Sequence, residues 1–250
     1  MEKIKFTAAF FAASVILLLL FSPEIFPDNS QFKDFLGSSK EKIVIIFNSG
    51  GWGNTPLDQA DDFNHIVKGI QETLLSLGYD SPVVPYERTK NDFWGKITAA
   101  KEAFRSFDVQ SNLLAGEIES FLRSNPDKKI IMAGLSNGAA FEESTVEKIS
   151  EDVRSRVFVI EAGTPFWERK TEALDRNVLR LDNQGKDLLA VGQAKSLVFS
   201  LARAPFKWIS KKFSDKNIAL ARAFEVAGHY YYWPEVKPEI TVFLENNLKQ

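Results

Sequence analysis

Ser136 lies in the pentapeptide Gly134-Leu135-Ser136-Asn137-Gly138, a Gly-x-Ser-x-Gly pattern. Only two histidines occur in the chain, His65 and His229. A serine hydroxyl is a weak nucleophile until an adjacent base takes its proton. Imidazole titrates near neutrality and can act as that base. The apolar run Ile130-Ile131-Met132-Ala133 precedes the pentapeptide, and the helix-like stretch 139–149 follows it. A serine on such a strand-to-helix turn is offered to solvent, and the crowded backbone there needs small neighbours, which Gly134 and Gly138 supply. His229 comes directly after the β-like run 218–226. His65 precedes the serine and falls inside a helical pattern, where it reads as a surface or satisfied core histidine.

Composition narrows the alternatives. The chain of 250 residues has 0 Cys, which excludes a thiolate nucleophile, a disulfide framework or a cysteine metal site, and 2 His argue against a histidine-rich metal site. The formal net charge of -2 gives nucleic-acid binding no electrostatic support. No cofactor is implied. Gly51-x-Gly53 lacks the third glycine of a dinucleotide-binding loop, since Pro56 stands there.

At the N-terminus Lys3 and Lys5 precede an apolar run from Phe6 to Phe21. Residues 1–26 are therefore expected to be a signal anchor or a signal peptide. Cleavage is weakly signalled, with Leu20 where a small residue is expected and Pro23 just beyond. The basic flank places the body outside the cytoplasm: membrane-anchored if the segment stays, secreted or periplasmic if it is removed. Residues 27–41 read as a linker and 42–250 as one domain.

The elements that must position the serine and histidine follow from periodicity. Ile43-Val44-Ile45-Ile46-Phe47 is a continuous β-branched run, suited to a strand buried on both faces. An amphipathic helix is expected over 57–77, ending at Gly78, and a strand over 82–86. One helix is expected over 93–122, then a strand over 129–133 and a helix over 139–153. Further strands are expected over 157–161, 177–181 and 218–226, with a closing helix over 238–248. This alternation predicts an α/β fold: a mostly parallel sheet of about six strands with helices on both faces. Right-handed crossovers place the loops after the strands on one edge. That edge would gather Gly50 and Gly51, Ser136, Asp182 or Asp187, and His229.

With these features the chain resembles the α/β-hydrolase superfamily, in its serine esterase and lipase-like branch, over roughly residues 43–248. The resemblance rests on the Ser136 pentapeptide, the glycine-rich loop after the first strand and the terminal Gly228-His229. The family's two leading antiparallel strands have no counterpart, which implies a reduced sheet similar to cutinase-sized members. The resemblance implies a triad in the chain order serine, acid, histidine. Gly185-Lys186-Asp187 looks like the family's acid loop, so Asp187 is the implied acid, with Asp182 the alternative and Glu161 more distant. It also implies an oxyanion hole from Asn137 and the loop Gly50, Gly51 and Trp52.

The expected activity is hydrolysis of small-molecule or lipid carboxylic esters through an acyl-enzyme on Ser136. A peptidase or amidase on the same triad, or a non-catalytic binding protein of the same fold, are the alternatives. The stretch 188–213 reads as a cap, an interfacial helix or an ordinary packed helix. Tyr230-Tyr231-Tyr232-Trp233 would either wall an acyl pocket or pack the last helix on the sheet.

Overall fold

The computed structural model describes residues 21–168, 176–192 and 228–248. Five strands form one sheet: β1 (Ile43–Asn48), β2 (Val83–Pro85), β3 (Lys129–Leu135), β4 (Val157–Ala162) and β5 (Val178–Leu181). Their order is β2-β1-β3-β4-β5, and every pairing is parallel. The expected sixth strand over 218–226 lies outside the described residues, as does residue 193 onward of the 188–213 stretch.

The unbroken apolar character of β1 and β3 follows from burial on both faces. Val44, Ile46, Ile130, Met132, Val157 and Val159 enter one core. Helices α1 (Ser30–Ser38), α4 (Asp108–Ser124) and α5 (Asn137–Lys148) cover that core. Ile43, Ile45, Phe47, Ile131, Ala133, Phe158 and Ile160 enter the other core. There α2 (Asn64–Ser76) and α7 (Trp233–Leu248) pack side by side. In α2 the buried residues Ile66, Ile70 and Leu74 recur every four positions, as do Val236, Ile240, Leu244 and Leu248 in α7. One apolar stripe per helix is what sheet packing requires.

Several boundaries differ from the sequence expectation. The 57–77 helix resolves into a short 3-10 turn (Leu57–Gln59) and α2. Its expected stop holds: Gly78 has φ +88, and Tyr79 N–H reaches back to Leu74 O. The single helix over 93–122 is two helices, α3 (Phe93–Phe104) and α4, broken where Ser106 and Phe107 take φ of 50 and 59. The break drives the Phe107 ring into the core, edge-on to Phe141 at 6.0 Å. The helix over 139–153 starts earlier and is likewise two, α5 and the short α6 (Glu151–Arg154). The closing helix begins at Trp233 rather than Pro238, with Pro238 inside it.

The stretch 27–41 is not a free tether. It carries α1, whose Phe32 and Leu36, one turn apart, are both buried in the core, with Phe32 edge-on to Tyr86. The chain before it is also fastened: Ile25 N–H donates to Thr98 Oγ1, and Glu24 pairs with Arg105 at 2.6 Å. Of the N-terminal segment 1–26, residues 1–20 lie outside the described residues. Among the described residues no helix is long and apolar enough to cross a membrane.

Candidate active site

Ser136 ends the β3 run and caps α5, with φ 55 and ψ -118. A side chain rarely tolerates that backbone, at a cost on the order of 1–3 kcal/mol, and it persists only where the surroundings enforce it. Here they do. Ser136 N–H is held by Ala162 O at 2.8 Å, across on β4, and α5 turns back immediately over the strand. Both glycines of the motif are demanded by that crossing. A Cβ on Gly134 would stand 2.8 Å from Gly138 C and 2.9 Å from Glu142 Cδ. A Cβ on Gly138 would fall inside contact distance of Asn48 O and 2.8 Å from Ser49 O.

Gly138→Ala therefore has to push α5 off the β1 loop and should destabilise the fold by about 1–3 kcal/mol, the usual cost of overpacking. Gly116→Ala, in open space on α4, should be neutral or slightly stabilising. Denaturant unfolding of the two variants checks this. Equal midpoints would refute the steric reading.

His229 lies at the same edge. Its Nδ1 is 2.8 Å from Asp187 Oδ2. The ring rests on Gly163, the residue after Ala162: a Cβ on Gly163 would be 2.7 Å from both His229 Nδ1 and Asp187 Oδ2. Ser136 is thus bonded to the end of β4 and His229 packs on the next residue. The half-buried His229 is held by Asn183, whose side-chain amide donates to Gly228 O (2.8 Å) and Tyr230 O (3.2 Å).

Asp187 is fully buried. Its Oδ1 accepts from the N–H of Leu189 (2.9 Å) and Ala190 (3.3 Å), and its Oδ2 accepts from His229 and from Tyr231 Oη at 2.6 Å. Burial pushes this carboxyl up, but the hydrogen bonds of His229, Tyr231 and Leu189 outweigh it and hold it below the usual range. Asp182 is occupied otherwise: its Oδ1 accepts Gly185 N–H and closes the turn. Glu161 is buried on β4 with Arg180 and Thr164. His65 is bonded to Tyr231 O at 2.7 Å and stacks on Tyr230.

The loop after β1 is held through its carbonyls. Ser49 O accepts from Arg88 Nη2 (2.7 Å), Gly50 O from Gly53 N–H (3.1 Å), Gly51 O from the Asn137 side chain (3.2 Å), and Trp52 O from Thr89 Oγ1. A planar trans peptide sets each N–H opposite the preceding carbonyl. The Gly50 N–H consequently points away from Arg88, and the Trp52 N–H away from Asn137. The Asn137 N–H, at the first position of α5, has no partner within the helix.

Beneath the Ser136 turn, called the elbow below, runs a buried polar row that the sequence reading did not anticipate. Strand register aligns Asn48, Gly134, Glu161 and Arg180 side by side across four strands. All four continue the positions that face α5, and α5 answers with Glu142 and Glu143, both fully buried. Asn48 Nδ2 donates to Glu142 Oε1 (2.7 Å), and Arg180 pairs with Glu143 (3.0 Å) and Glu161 (3.4 Å). Burial, together with the charge of Glu161, pushes the Glu142 carboxyl well above its usual range, against the Asn48 hydrogen bond and Arg88. Arg88 is buried between the rings of Phe107 and Phe141. Desolvation pulls its guanidinium down to about 10, against the opposing charges of Glu142 and Glu102. The available signal was a polar residue at the last or next-to-last position of an apolar strand: Asn48, Glu161, Arg180. Among the described residues no group of three or more His, Asp or Glu is placed to hold a metal ion.

A five-stranded parallel sheet with helices on both faces, whose third strand turns directly into a helix, has the architecture of the α/β-hydrolase fold. No protein-family model matches the sequence, and no curated protein is similar to it in sequence. Among solved structures the chain is similar to Trichoderma reesei cutinase in complex with a C11Y4 phosphonate inhibitor. Identity is 15%, 96% of this chain and 91% of that one are covered, and the TM-score is 0.50. It is similar over a smaller part to an acetylxylan esterase (13% identity, 57% of this chain and 82% of that one, TM-score 0.40). The likeness to the cutinase extends over nearly the whole chain and is one of fold.

Proposed function

We propose that the protein is a serine hydrolase of carboxylic esters, with Ser136 the nucleophile, His229 the base and Asp187 the acid. The observation that carries this reading is the His229–Asp187 hydrogen bond packed on Gly163, next to the residue that holds the strained Ser136 backbone. In the proposed cycle Ser136 Oγ attacks the ester carbonyl and His229 Nε2 takes its proton. Asp187 accepts the Nδ1–H, fixing the tautomer and stabilising the imidazolium. The developing oxyanion would accept from Asn137 N–H and from Gly50 N–H, which the pinned Ser49 carbonyl turns outward; Gly51 and Trp52 would line the same hole. The imidazolium returns the proton to the departing alcohol. Water then repeats the sequence on the acyl-enzyme, with His229 again the base.

The fold's likeness to a cutinase that binds a phosphonate inhibitor supports an organophosphorus probe as the test. A fluorophosphonate should label the wild-type chain and neither Ser136→Ala nor His229→Ala. A folded wild type that takes no label would favour a binding role instead. The basic flank Lys3 and Lys5 before the apolar run 6–21 supports a catalytic body outside the cytoplasm. A membrane-impermeant form of the probe, applied to sealed spheroplasts, tests that placement, and labelling only after lysis would sink it.

A further inference from the structure

Tyr231 is a fully buried side chain in the segment that follows His229. Its ring stands edge-on to the His229 imidazole, with centroids 6.3 Å apart. Its single phenolic proton has two acceptors, Asp187 Oδ2 at 2.6 Å and Leu181 O at 3.0 Å. The shorter distance belongs to an O–H donated to a carboxylate, the stronger kind of bond. The acceptor is the same oxygen that receives the His229 Nδ1–H. Two donors therefore share one carboxylate oxygen, while Leu189 and Ala190 N–H occupy the other.

We propose that Tyr231 is a positioning residue that sets how strongly Asp187 holds His229, by competing with the imidazole for Asp187 Oδ2. This rests on the triad assignment above. A phenol donating to Oδ2 draws off part of the charge that the imidazolium would otherwise feel. Without it Asp187 is a stronger acceptor, the protonated histidine is better stabilised, and more alkaline conditions are needed to free the base. The surrounding ionisable groups do not share in this. His65 of α2 is bonded to Tyr231 O, Asp182 to Gly185 N–H, and Glu161 of β4 faces Arg180 of β5. Asp182 also accepts Asp187 N–H through its main-chain oxygen at 3.2 Å, a bond that leaves both carboxylate oxygens of Asp187 to the donors above.

The test is the pH dependence of kcat/KM on a soluble ester for wild type and Tyr231→Phe, which keeps the ring and removes the hydroxyl. The acidic limb reports the free enzyme's base. It should move to higher pH by about half a unit, with activity recovered on the alkaline side. A limb that stays in place, or moves to lower pH, overturns the proposal. A uniform loss at every pH would mark a purely structural role and overturns it too. Should Tyr231→Phe fail to fold, 3-fluorotyrosine incorporated at position 231 decides. The fluorinated phenol is the better donor, so the limb should move to lower pH, and any other result overturns the proposal. An inactive, unlabelled wild type would instead defeat the triad assignment itself, a failure distinct from an active wild type whose variant shows no shift.

Discussion

Replacing Ser136 by alanine should lower kcat on a simple carboxylic ester by about a million-fold, the loss seen when the nucleophile of a comparable triad is removed. The fold should survive, because alanine carries the same Cβ as serine. The φ of 55 is then no more costly than before, and the Ser136 N–H bond to Ala162 is a main-chain bond. KM should change little, since the hydroxyl acts in the transition state rather than in substrate binding. What remains would come from the oxyanion donors of Asn137 and the Gly50 loop, which on their own give about a thousand-fold over water. Steady-state kinetics with a chromogenic ester measures this, beside a thermal melt to show that the variant is folded. An unchanged kcat would remove Ser136 from the mechanism.

The second large effect separates the two aspartates. Asp187→Asn should lower kcat by about ten-thousand-fold, because the amide can hold the imidazole in the wrong tautomer while leaving the geometry intact. Asp182→Asn should cost little, since an amide oxygen can still accept Gly185 N–H and no bond runs from Asp182 to His229. Both variants are nearly isosteric, so comparing kcat at matched melting temperature isolates the charge. The opposite ranking would transfer the acid role to Asp182.

Much of this arrangement was legible from residue order. The continuous β-branched character of Ile43–Phe47 and Ile130–Ala133 indicated strands buried on both faces, and both are interior strands of the sheet, with β3 at its centre. The alternation of strands and helices indicated that Ser136 and the Asp187 and His229 loops share an edge. Other features were not legible because they arise from contacts between distant segments. The α3–α4 break at Ser106 and Phe107 carries no glycine or proline. It is imposed by the pocket between Arg88 and Phe141, which exists only once the core is formed. Tyr231 read as one aromatic in a run of three. Its hydrogen bonds to Leu181 O and to the Asp187 carboxylate, both distant in sequence, separate it from the exposed Tyr230 and Tyr232. The stretch 27–41 read as polar because its apolar residues are few, yet Phe32 and Leu36 fall on one face of a helix turn, and that suffices to dock it.

The buried polar row under the elbow divides the ways in which this site can change. Asn48 is bonded to Glu142, and Arg180 to Glu143 and Glu161, with all but the partly exposed Arg180 fully buried, so removing one partner of a pair leaves a buried group unmatched at a cost of about 3–5 kcal/mol. Changes there are tolerated only in matched sets, which single-step variation rarely supplies. Trp52, Phe166, Trp167, Tyr230 and Tyr232 are solvent-facing, tied to their surroundings by ring contacts such as Phe166 with Trp167 and Tyr230 with His65. On the proposed assignment, these exposed aromatic positions can vary with less disturbance to the fold than the buried row, and a search for altered selectivity begins there.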